Sequence, residues 1–230
     1  MKIKTLLIDL DDNILPSGHT YFIPQLNCAK ILTMEFQPDC PRPEVMIAEA
    51  RRISKSLFDL PGPKELHIFA KSWIIYHLEL AKKLGRPASP AISDAITMEA
   101  VCWLKDKYEL YPGTREVLEK IKQQKILVTL GNESGQRHKI ITANIESLFD
   151  GIEIMNNKNQ DTFKTIMEKY KLKPKTTAMI GDSFESDIQP AIDCGIHAYH
   201  VIGKFEKPNI TGIHPFYTAI SHFNEITSYI

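Results

Sequence analysis

Three acidic side chains that could do chemistry, Asp9, Asp11 and Asp12, follow a short apolar run near the start of the chain. The run, TLLI at residues 5–8, is typical of a strand buried on both faces of a parallel sheet. Because strand side chains alternate, Asp9 and Asp11 are expected to project to the same side where the strand ends. Two carboxylates at a buried edge repel each other unless a cation, a proton or shared chemistry relieves the repulsion. The alternative is that the acids form only a polar turn.

Polar side chains also follow three later apolar runs, at residues 126–129, 152–155 and 177–180. In open parallel sheets, ligands bind at the carboxyl ends of the strands. Carboxylate oxygens there could hold Mg²⁺, and a hydroxyl, backbone N–H groups and a lysine could hold phosphate oxygens. The pattern therefore favours a magnesium-dependent phosphoryl-transfer site, with these further candidates: Thr129, Lys158, Asp182, Ser183 and Asp187.

The elements that must position these residues alternate between strand and helix from Tyr111 onward. Apolar spacing predicts helices beginning at Thr114 and covering 134–145 and 187–194, a helix that carries Phe163, Ile166, Met167 and Tyr170, and a last strand at 198–202. Such alternation predicts right-handed crossovers and a parallel sheet that the first strand must join. The tail from Gly203 is poorly patterned and is expected to wrap the core.

The stretch between the first strand and this region is helical in pattern. Helices are predicted at 43–58, 66–84 and from 90 to about 107, with a weaker pattern at 23–36. The apolar stripe of the helix predicted at 66–84 begins at Leu66. The side chains of Trp73, His77 and Trp103 are expected in the core of this helical stretch. The sequence thus predicts an α/β fold, a Rossmann-like parallel sheet with helices on both faces, formed by residues 1–15 and 108–230. Residues 16–107 form an inserted all-helical domain.

Composition limits the function classes. The 230 residues are 43% hydrophobic and 24% charged, and 28 basic residues balance 28 acidic ones, so no net field favours nucleic acid or an anionic membrane. No apolar run approaches the ~20 residues that cross a bilayer, and no signal-peptide pattern is present. The four cysteines are Cys28, Cys40, Cys102 and Cys194. They lack the spacing of zinc ligands, which favours reduced thiols and a cytoplasmic protein.

Four segments together resemble the motifs of the haloacid dehalogenase-like (HAD) superfamily. They are DLDDNIL at 9–15, VTLG at 128–131, the lone Lys158 before a helix, and GDSFESD at 181–187. They occur in the superfamily's order and span the whole predicted core. The helical insertion is similar in position and size to that superfamily's C1-type cap domain.

The resemblance implies a role for each candidate. Asp9 would be the nucleophile that forms an aspartyl-phosphate, and Asp11 would be the general acid and then the general base. Mg²⁺ would be the cofactor, coordinated by the Asp9 side chain, the Asp11 backbone carbonyl and Asp182. Ser183 and Asp187 would support the metal site. Thr129, Leu130 and Lys158 would bind the phosphoryl group.

Several positions also have simpler interpretations. Thr129 could be an ordinary strand-end hydroxyl, Lys164 could replace Lys158, and Ser183 or Asp187 could only cap a helix. The sequence also departs from the common motifs, since Asp12 replaces a frequent Gly, Asn13 a frequent Thr or Val, and Leu130 a frequent Asn. None of these departures removes a principal catalytic group.

The resemblance implies a Mg²⁺-dependent phosphomonoesterase for a small phosphorylated metabolite, with a cap that excludes water and selects the leaving group. A dehalogenase is disfavoured, because that branch lacks the second Asp. A sugar-phosphate phosphomutase shares the core residues and stays an alternative. Another is a non-enzymatic phospho-switch or interaction protein, although receiver domains are shorter and lack the helical insertion. Oligomeric state is left open.

Overall fold

The computed structural model describes residues 2–62, 64–65, 67–203, 207–210 and 214–230, with only the backbone of His19. The predicted stripe position Leu66 and part of the tail after Gly203 lie outside the described residues. The chain forms two compact units. The α/β unit comprises Met1–Pro16 and Lys107–Ile230, and the helical unit comprises Ser17–Asp106.

The α/β unit is built on a six-stranded sheet of order β3-β2-β1-β4-β5-β6 in which every pairing is parallel. This topology confirms the predicted α/β, Rossmann-like fold class. The strands are β1 (Thr5–Ile8), β2 (Gln124–Leu130), β3 (Gly151–Met155), β4 (Thr177–Gly181), β5 (His197–Val201) and β6 (Tyr217–Ile220).

β1 lies at the centre of the sheet, as its apolar run predicts. Leu7 pairs in register with Ile126 of β2 and Met179 of β4. Leu6 and Ile8 pack in one apolar cluster, whereas Leu7 packs in another, and all three are fully buried. Because successive side chains of a strand point to opposite faces, both faces of β1 are covered by core.

The helices of this unit are α5 (Thr114–Lys120), α6 (Glu133–Thr142), α7 (Gln160–Lys169) and α8 (Gln189–Asp193). A π-helical turn, Phe184–Ile188, precedes α8, so the helix predicted at 187–194 begins earlier and in a different form. Asn132 and Asn159 start α6 and α7, because their side chains accept hydrogen bonds from Gly135 N and Thr162 N.

The C-terminal tail contains a strand that the sequence pattern did not predict. β6 pairs with β5, with Ala198 opposite Tyr217, and a 3₁₀ helix at Phe223–Ser228 follows. Only Tyr217 and Ile220 of this four-residue edge strand are buried. An edge strand therefore lacks the continuous apolar run that identifies β1.

The helical unit contains α1 (Gly18–Phe36), α2 (Pro43–Phe58), α3 (Ile68–Lys83), α4 (Pro90–Ala100) and a 3₁₀ helix at Cys102–Lys105. α1 starts five residues before the predicted 23, and α4 ends at Ala100 rather than near 107. Within the described residues, no helix has the length and apolar character needed to cross a bilayer.

The core of the helical unit includes the predicted Trp73, which is fully buried, and Trp103 is also buried. His77 is enclosed as expected, with Nδ1 3.1 Å from Ser93 Oγ and Nε2 2.9 Å from a Glu35 carboxylate oxygen.

The apolar face predicted for α2 runs through Val45, Ala48, Ile53 and Leu57, and it is half right, because Ile53 is buried and Leu57 packs partly buried against the core. Val45 and Ala48 are exposed, whereas Met46 and Ala50 are buried. Both sets have helical spacing, so the sequence pattern alone does not decide between them.

Candidate active site

Asp9 is fixed by the backbone at the end of β1. Its N–H donates to Ile180 O of β4 at 2.9 Å, and Asn13 Nδ2 donates to Asp9 O at 2.8 Å. Asn13 also donates to Ile180 O at 3.3 Å and is buried. Asn13, one of the departures from the common motif, therefore ties the loop after β1 to β4. Asp12 has a φ of 53°, a left-handed conformation that Asp tolerates better than most residues.

Asp182 directly follows β4, and the π-helical turn after it supplies Asp187. The N-cap of this turn is Ser183, whose Oγ accepts a hydrogen bond from Ser186 N at 3.2 Å. Asp187 lies inside the turn, so its interpretation as the N-cap was wrong. Its Oδ2 instead accepts from Ser183 N at 3.2 Å, which turns the carboxylate back toward the strand end.

Three of the predicted carboxylates converge. Asp9, Asp182 and Asp187 each offer one oxygen, and these oxygens lie within 4.8 Å of one another. Lys158, from the loop between β3 and α7, contacts Asp9 Oδ1 and lies 2.6 Å from Asp187 Oδ1. Lys164, the alternative lysine, is on the surface, 3.4 Å from Asp161. The buried cation at the cluster is thus Lys158.

The electrostatics of the cluster are those of crowded acids. Burial raises the pKa of Asp9 well above its usual value, Lys158 lowers it, and Asp187 raises it further. Burial, with the carboxylates of Asp187 and Asp12, raises the pKa of Asp182 from 3.8 to about 7. Burial lowers the pKa of Lys158, but Asp187 and Asp9 more than offset this, so that the lysine stays charged. The site has the negative charge to attract a further cation.

Thr129 is the last buried residue of β2. Its side chain is fully buried, and no group in the described part of the chain hydrogen-bonds to its hydroxyl. An isolated buried hydroxyl is unfavourable, so this one is expected to meet a ligand. The next residue, Leu130, uses its carbonyl to accept a hydrogen bond from Gln136 Nε2 at 2.7 Å.

The Asp11 side chain is not part of the carboxylate cluster. Its two oxygens accept hydrogen bonds from Lys139 Nζ at 2.7 Å and Gln136 Nε2 at 2.8 Å. Sequence reasoning missed both α6 residues. The available signal was the spacing of three between Gln136 and Lys139, because this spacing places both side chains on one face of the helix that follows β2.

His200 of β5 was also missed. Its Nε2 donates to the backbone carbonyl of Asp182 at 2.9 Å, and its Nδ1 accepts from the Tyr217 hydroxyl at 3.0 Å. The unpredicted strand β6 therefore supports the loop that carries Asp182. No sequence motif marks this contact, because it depends on the order of the strands.

Together, the carboxylates, the buried lysine and the free hydroxyl at the carboxyl edge of the sheet suit binding a divalent cation beside an anion. The fold and this arrangement define an α/β protein of Rossmann-like topology with an aspartate-rich site at the carboxyl edge of its sheet. The family profile described as haloacid dehalogenase-like hydrolase matches residues 3–195. The chain belongs to the haloacid dehalogenase-like hydrolase family.

Solved structures share the fold over nearly the whole chain. A haloacid dehalogenase-like family hydrolase from Xanthomonas campestris is 18% identical, with a TM-score of 0.76 over 99% of this chain and 94% of its own. The proposed HAD-hydrolase YfnB of Bacillus subtilis, solved bound to magnesium, is 17% identical, with a TM-score of 0.67 over 99% and 98%.

A proposed β-phosphoglucomutase from Thermotoga maritima is 16% identical, with a TM-score of 0.67 over 99% of this chain and 97% of its own. L-2-haloacid dehalogenases share the fold as well. No curated protein matches the chain significantly in sequence. Structural similarity at such low sequence identity shows a shared fold alone, so the reaction has to be argued from the site.

Proposed function

We propose that the protein is a Mg²⁺-dependent phosphomonoester hydrolase that acts on a small phosphorylated metabolite through an aspartyl-phosphate. The observation that carries the proposal is the convergence of Asp9, Asp182 and Asp187 within 4.8 Å at the carboxyl edge of the sheet. Asp9 combines the position of a nucleophile with a neighbouring lysine that favours its ionised form.

The residues fit a hard divalent cation. Carboxylate oxygens are the ligands that Mg²⁺ prefers. Burial, and after it the carboxylates of Asp187 and Asp12, raise the pKa of Asp182 to about 7, and a bound cation would favour its ionised form. Asp9, the Asp11 backbone carbonyl and Asp182 would hold the ion, and Asp187 would support them. When bound, Mg²⁺ would offset the negative charge of the phosphoryl group.

In the first half-reaction, a carboxylate oxygen of Asp9 attacks the phosphorus atom. The bond between phosphorus and the leaving oxygen breaks, and Asp11 donates a proton to that oxygen. The products are the free alcohol and Asp9 as an acyl phosphate. Proton donation by a positioned acid is worth roughly 10²–10⁴-fold in rate.

In the second half-reaction, the ionised Asp11 takes a proton from a water molecule. The water oxygen attacks phosphorus, the bond to Asp9 breaks with its electron pair returning to the carboxylate, and inorganic phosphate leaves. Asp11 is then protonated again, and both residues are restored. The two carboxyl groups thus have separate tasks, which agrees with their separate surroundings.

The phosphoryl oxygens need donors other than the metal. The Thr129 hydroxyl is buried and free of partners in the described residues, so a phosphate oxygen would satisfy it. Lys158 would share its charge between Asp9 and the phosphoryl group, and the backbone at Leu130 would add an N–H.

Asp11 distinguishes this proposal from dehalogenation, because a halide leaves without a proton whereas an alcohol requires one. A phosphomutase is the second candidate, favoured by the fold shared with the proposed β-phosphoglucomutase. We assign the helical unit to selection of the leaving group, in the manner of a cap. Continuous release of inorganic phosphate would separate the hydrolase from the mutase.

The test is phosphate release from p-nitrophenyl phosphate, acetyl phosphate and a panel of phosphorylated metabolites, with Mg²⁺ or with EDTA. We expect turnover that needs Mg²⁺ and is lost in Asp9→Asn. Asp161→Asn, at an exposed carboxylate on α7, is the matched control and should retain activity. Full activity in purified Asp9→Asn would exclude Asp9 as the nucleophile. An inert wild-type protein that binds a partner tightly would favour the interaction protein instead.

A further inference from the structure

Two side chains of α6 grip the carboxylate of Asp11. Lys139 Nζ donates to one oxygen at 2.7 Å, and Gln136 Nε2 donates to the other at 2.8 Å. Each oxygen thus has its own donor. Together they fix both the direction of the side chain and the rotation of the carboxylate plane.

Lys139 is built into the core to make this contact. Its side chain is 2% exposed, and its ammonium lies 5.9 Å from the centre of the Tyr108 ring. Burying a lysine is costly unless it is paired and hydrogen-bonded. A surface lysine would balance the charge of Asp11 without this cost, so burial points to a requirement for fixed geometry.

The orientation of the Gln136 amide is fixed independently. The same Nε2 donates to Leu130 O at 2.7 Å, so the amide nitrogen, and not the oxygen, faces Asp11. The end of β2, which carries Thr129 and Leu130, is therefore tied to the loop after β1 through one side chain. The Asp11 side chain is still 27% exposed, which leaves it accessible to a substrate.

We propose that Gln136 and Lys139 are positioning residues that hold Asp11 in place for proton transfer to the leaving oxygen. This inference rests on the proposed phosphatase function. Neither residue touches the substrate, and both act through Asp11. Misplacing a reacting group by about 1 Å can cost roughly 10²-fold in rate, so loss of this grip has a measurable consequence.

The two hydrogen bonds that position Asp11 matter most for substrates with poor leaving groups. An alkoxide needs a proton as it departs, whereas 2,4-dinitrophenolate leaves readily without one. The proposed substrate class is therefore phosphate esters of aliphatic alcohols, for which the position of Asp11 limits the rate.

The experiment compares kcat/KM for an alkyl phosphate, such as glycerol 3-phosphate, with kcat/KM for 2,4-dinitrophenyl phosphate. We expect Lys139→Met to lower the alkyl value about 10–100-fold and the dinitrophenyl value less than about 3-fold. Gln136→Leu should act in the same direction, and it keeps the test valid if Lys139→Met folds poorly. Arg137→Met, between them on α6 but paired with Glu133 at the surface, is the control and should change neither value.

Equal losses on both substrates would overturn the proposal, because a purely structural role does not depend on the leaving group. Faster turnover of the alkyl phosphate in Lys139→Met would overturn it as well, since the lysine would then hold Asp11 in a position that is unproductive for proton transfer. A wild-type protein inert toward every phosphate ester would defeat the proposed function and this inference together. Normal wild-type activity with an unchanged substrate ratio in both variants would defeat the inference alone.

Discussion

Gly181 and Asp187 are in such close contact that no other residue fits at position 181. A Cβ built on Gly181 would lie 2.5 Å from Asp187 Cγ and 2.7 Å from Asp187 Cβ. Real Cβ contacts are longer than 3.0 Å, so any side chain at 181 would displace Asp187. The glycine at the end of β4 is what allows the π-helical turn to bring a carboxylate against the strand.

Gly181→Ala is therefore expected to lower the free energy of unfolding by about 1–3 kcal/mol, as overpacked buried sites do. It should also weaken Mg²⁺ binding, because Asp187 would no longer support Asp9 and Asp182. Thermal denaturation with and without Mg²⁺ measures both effects. Gly18→Ala, at an exposed position at the start of α1, should leave both unchanged. A Gly181→Ala protein as stable and as responsive to Mg²⁺ as the wild type would contradict the close packing.

Lys158→Met removes the positive charge between Asp9 and Asp187. Breaking a buried ion pair leaves carboxylates without a partner, and we expect a loss of about 3–5 kcal/mol in the free energy of unfolding near pH 8. The loss should shrink toward lower pH, because burial already raises the pKa of Asp9, and without the lysine to lower it the carboxyl group takes up a proton more readily. Chemical denaturation at several pH values checks this, with Lys164→Met at the surface as the control. A loss that is the same at pH 5 and pH 8 would argue against the electrostatic origin.

Thr129→Val tests whether the buried hydroxyl serves a ligand or the fold. The hydroxyl has no partner among the described residues, so valine should preserve stability or raise it slightly. Inhibition by inorganic phosphate should weaken about 10-fold if the hydroxyl binds a phosphate oxygen. The contrast is Thr177→Val, whose lost hydrogen bond to Lys173 O should cost about 1 kcal/mol without affecting phosphate inhibition. A Thr129→Val protein that is less stable yet inhibited normally would assign the hydroxyl to the fold.

Asp182 gives the metal-free protein a pH-dependent stability. Its pKa is about 7 in the folded protein and near 3.8 in the unfolded chain, so the folded state holds the proton over that interval. The unfolded chain releases it at lower pH, and the free energy of unfolding therefore falls as the pH rises from 3.8 to about 7.

In EDTA at pH 8, Asp182→Asn should then raise the free energy of unfolding, on the order of 2 kcal/mol, and the gain should vanish near pH 4. Saturating Mg²⁺ should reverse the ranking, because the wild type binds the ion in its folded state and gains stability by mass action. Melting curves at pH 4, 6 and 8 test this. A variant that is less stable than the wild type at pH 8 without metal would refute the assigned cost of burying the Asp182 charge beside Asp187.

Much of the α/β unit could be predicted because its central strands are buried on both faces. The runs at Thr5–Ile8 and Thr177–Gly181 are almost wholly apolar, and acidic residues follow each of them. The same segments therefore predicted both the central strands and the candidate site. The loops at strand ends follow from the parallel topology. That is why the placement of Asp9, Asp182 and Lys158 near one another could be expected from the sequence alone.

The rest depended on contacts between distant residues. Asp11 was predicted as part of the site, but its partners on α6 were not, because Gln136 and Lys139 look like ordinary helix residues. His200 lies within β5, and its side chain reaches the carbonyl of Asp182 only because β5 is next to β4. Part of the buried face of α2 was also misassigned, because Val45 and Ala48 have the same helical spacing as residues that do reach the core.

The central place of β1 has a consequence for synthesis on the ribosome. β1 is made first, yet one of its neighbours, β2, starts at Gln124 and the other, β4, starts at Thr177. The contiguous helical unit is complete at Asp106, before either neighbour has been made. Nascent chains therefore carry an apolar strand that lacks both neighbours until β2 is made and one neighbour until β4 is made, which exposes them to aggregation and to chaperones over that interval.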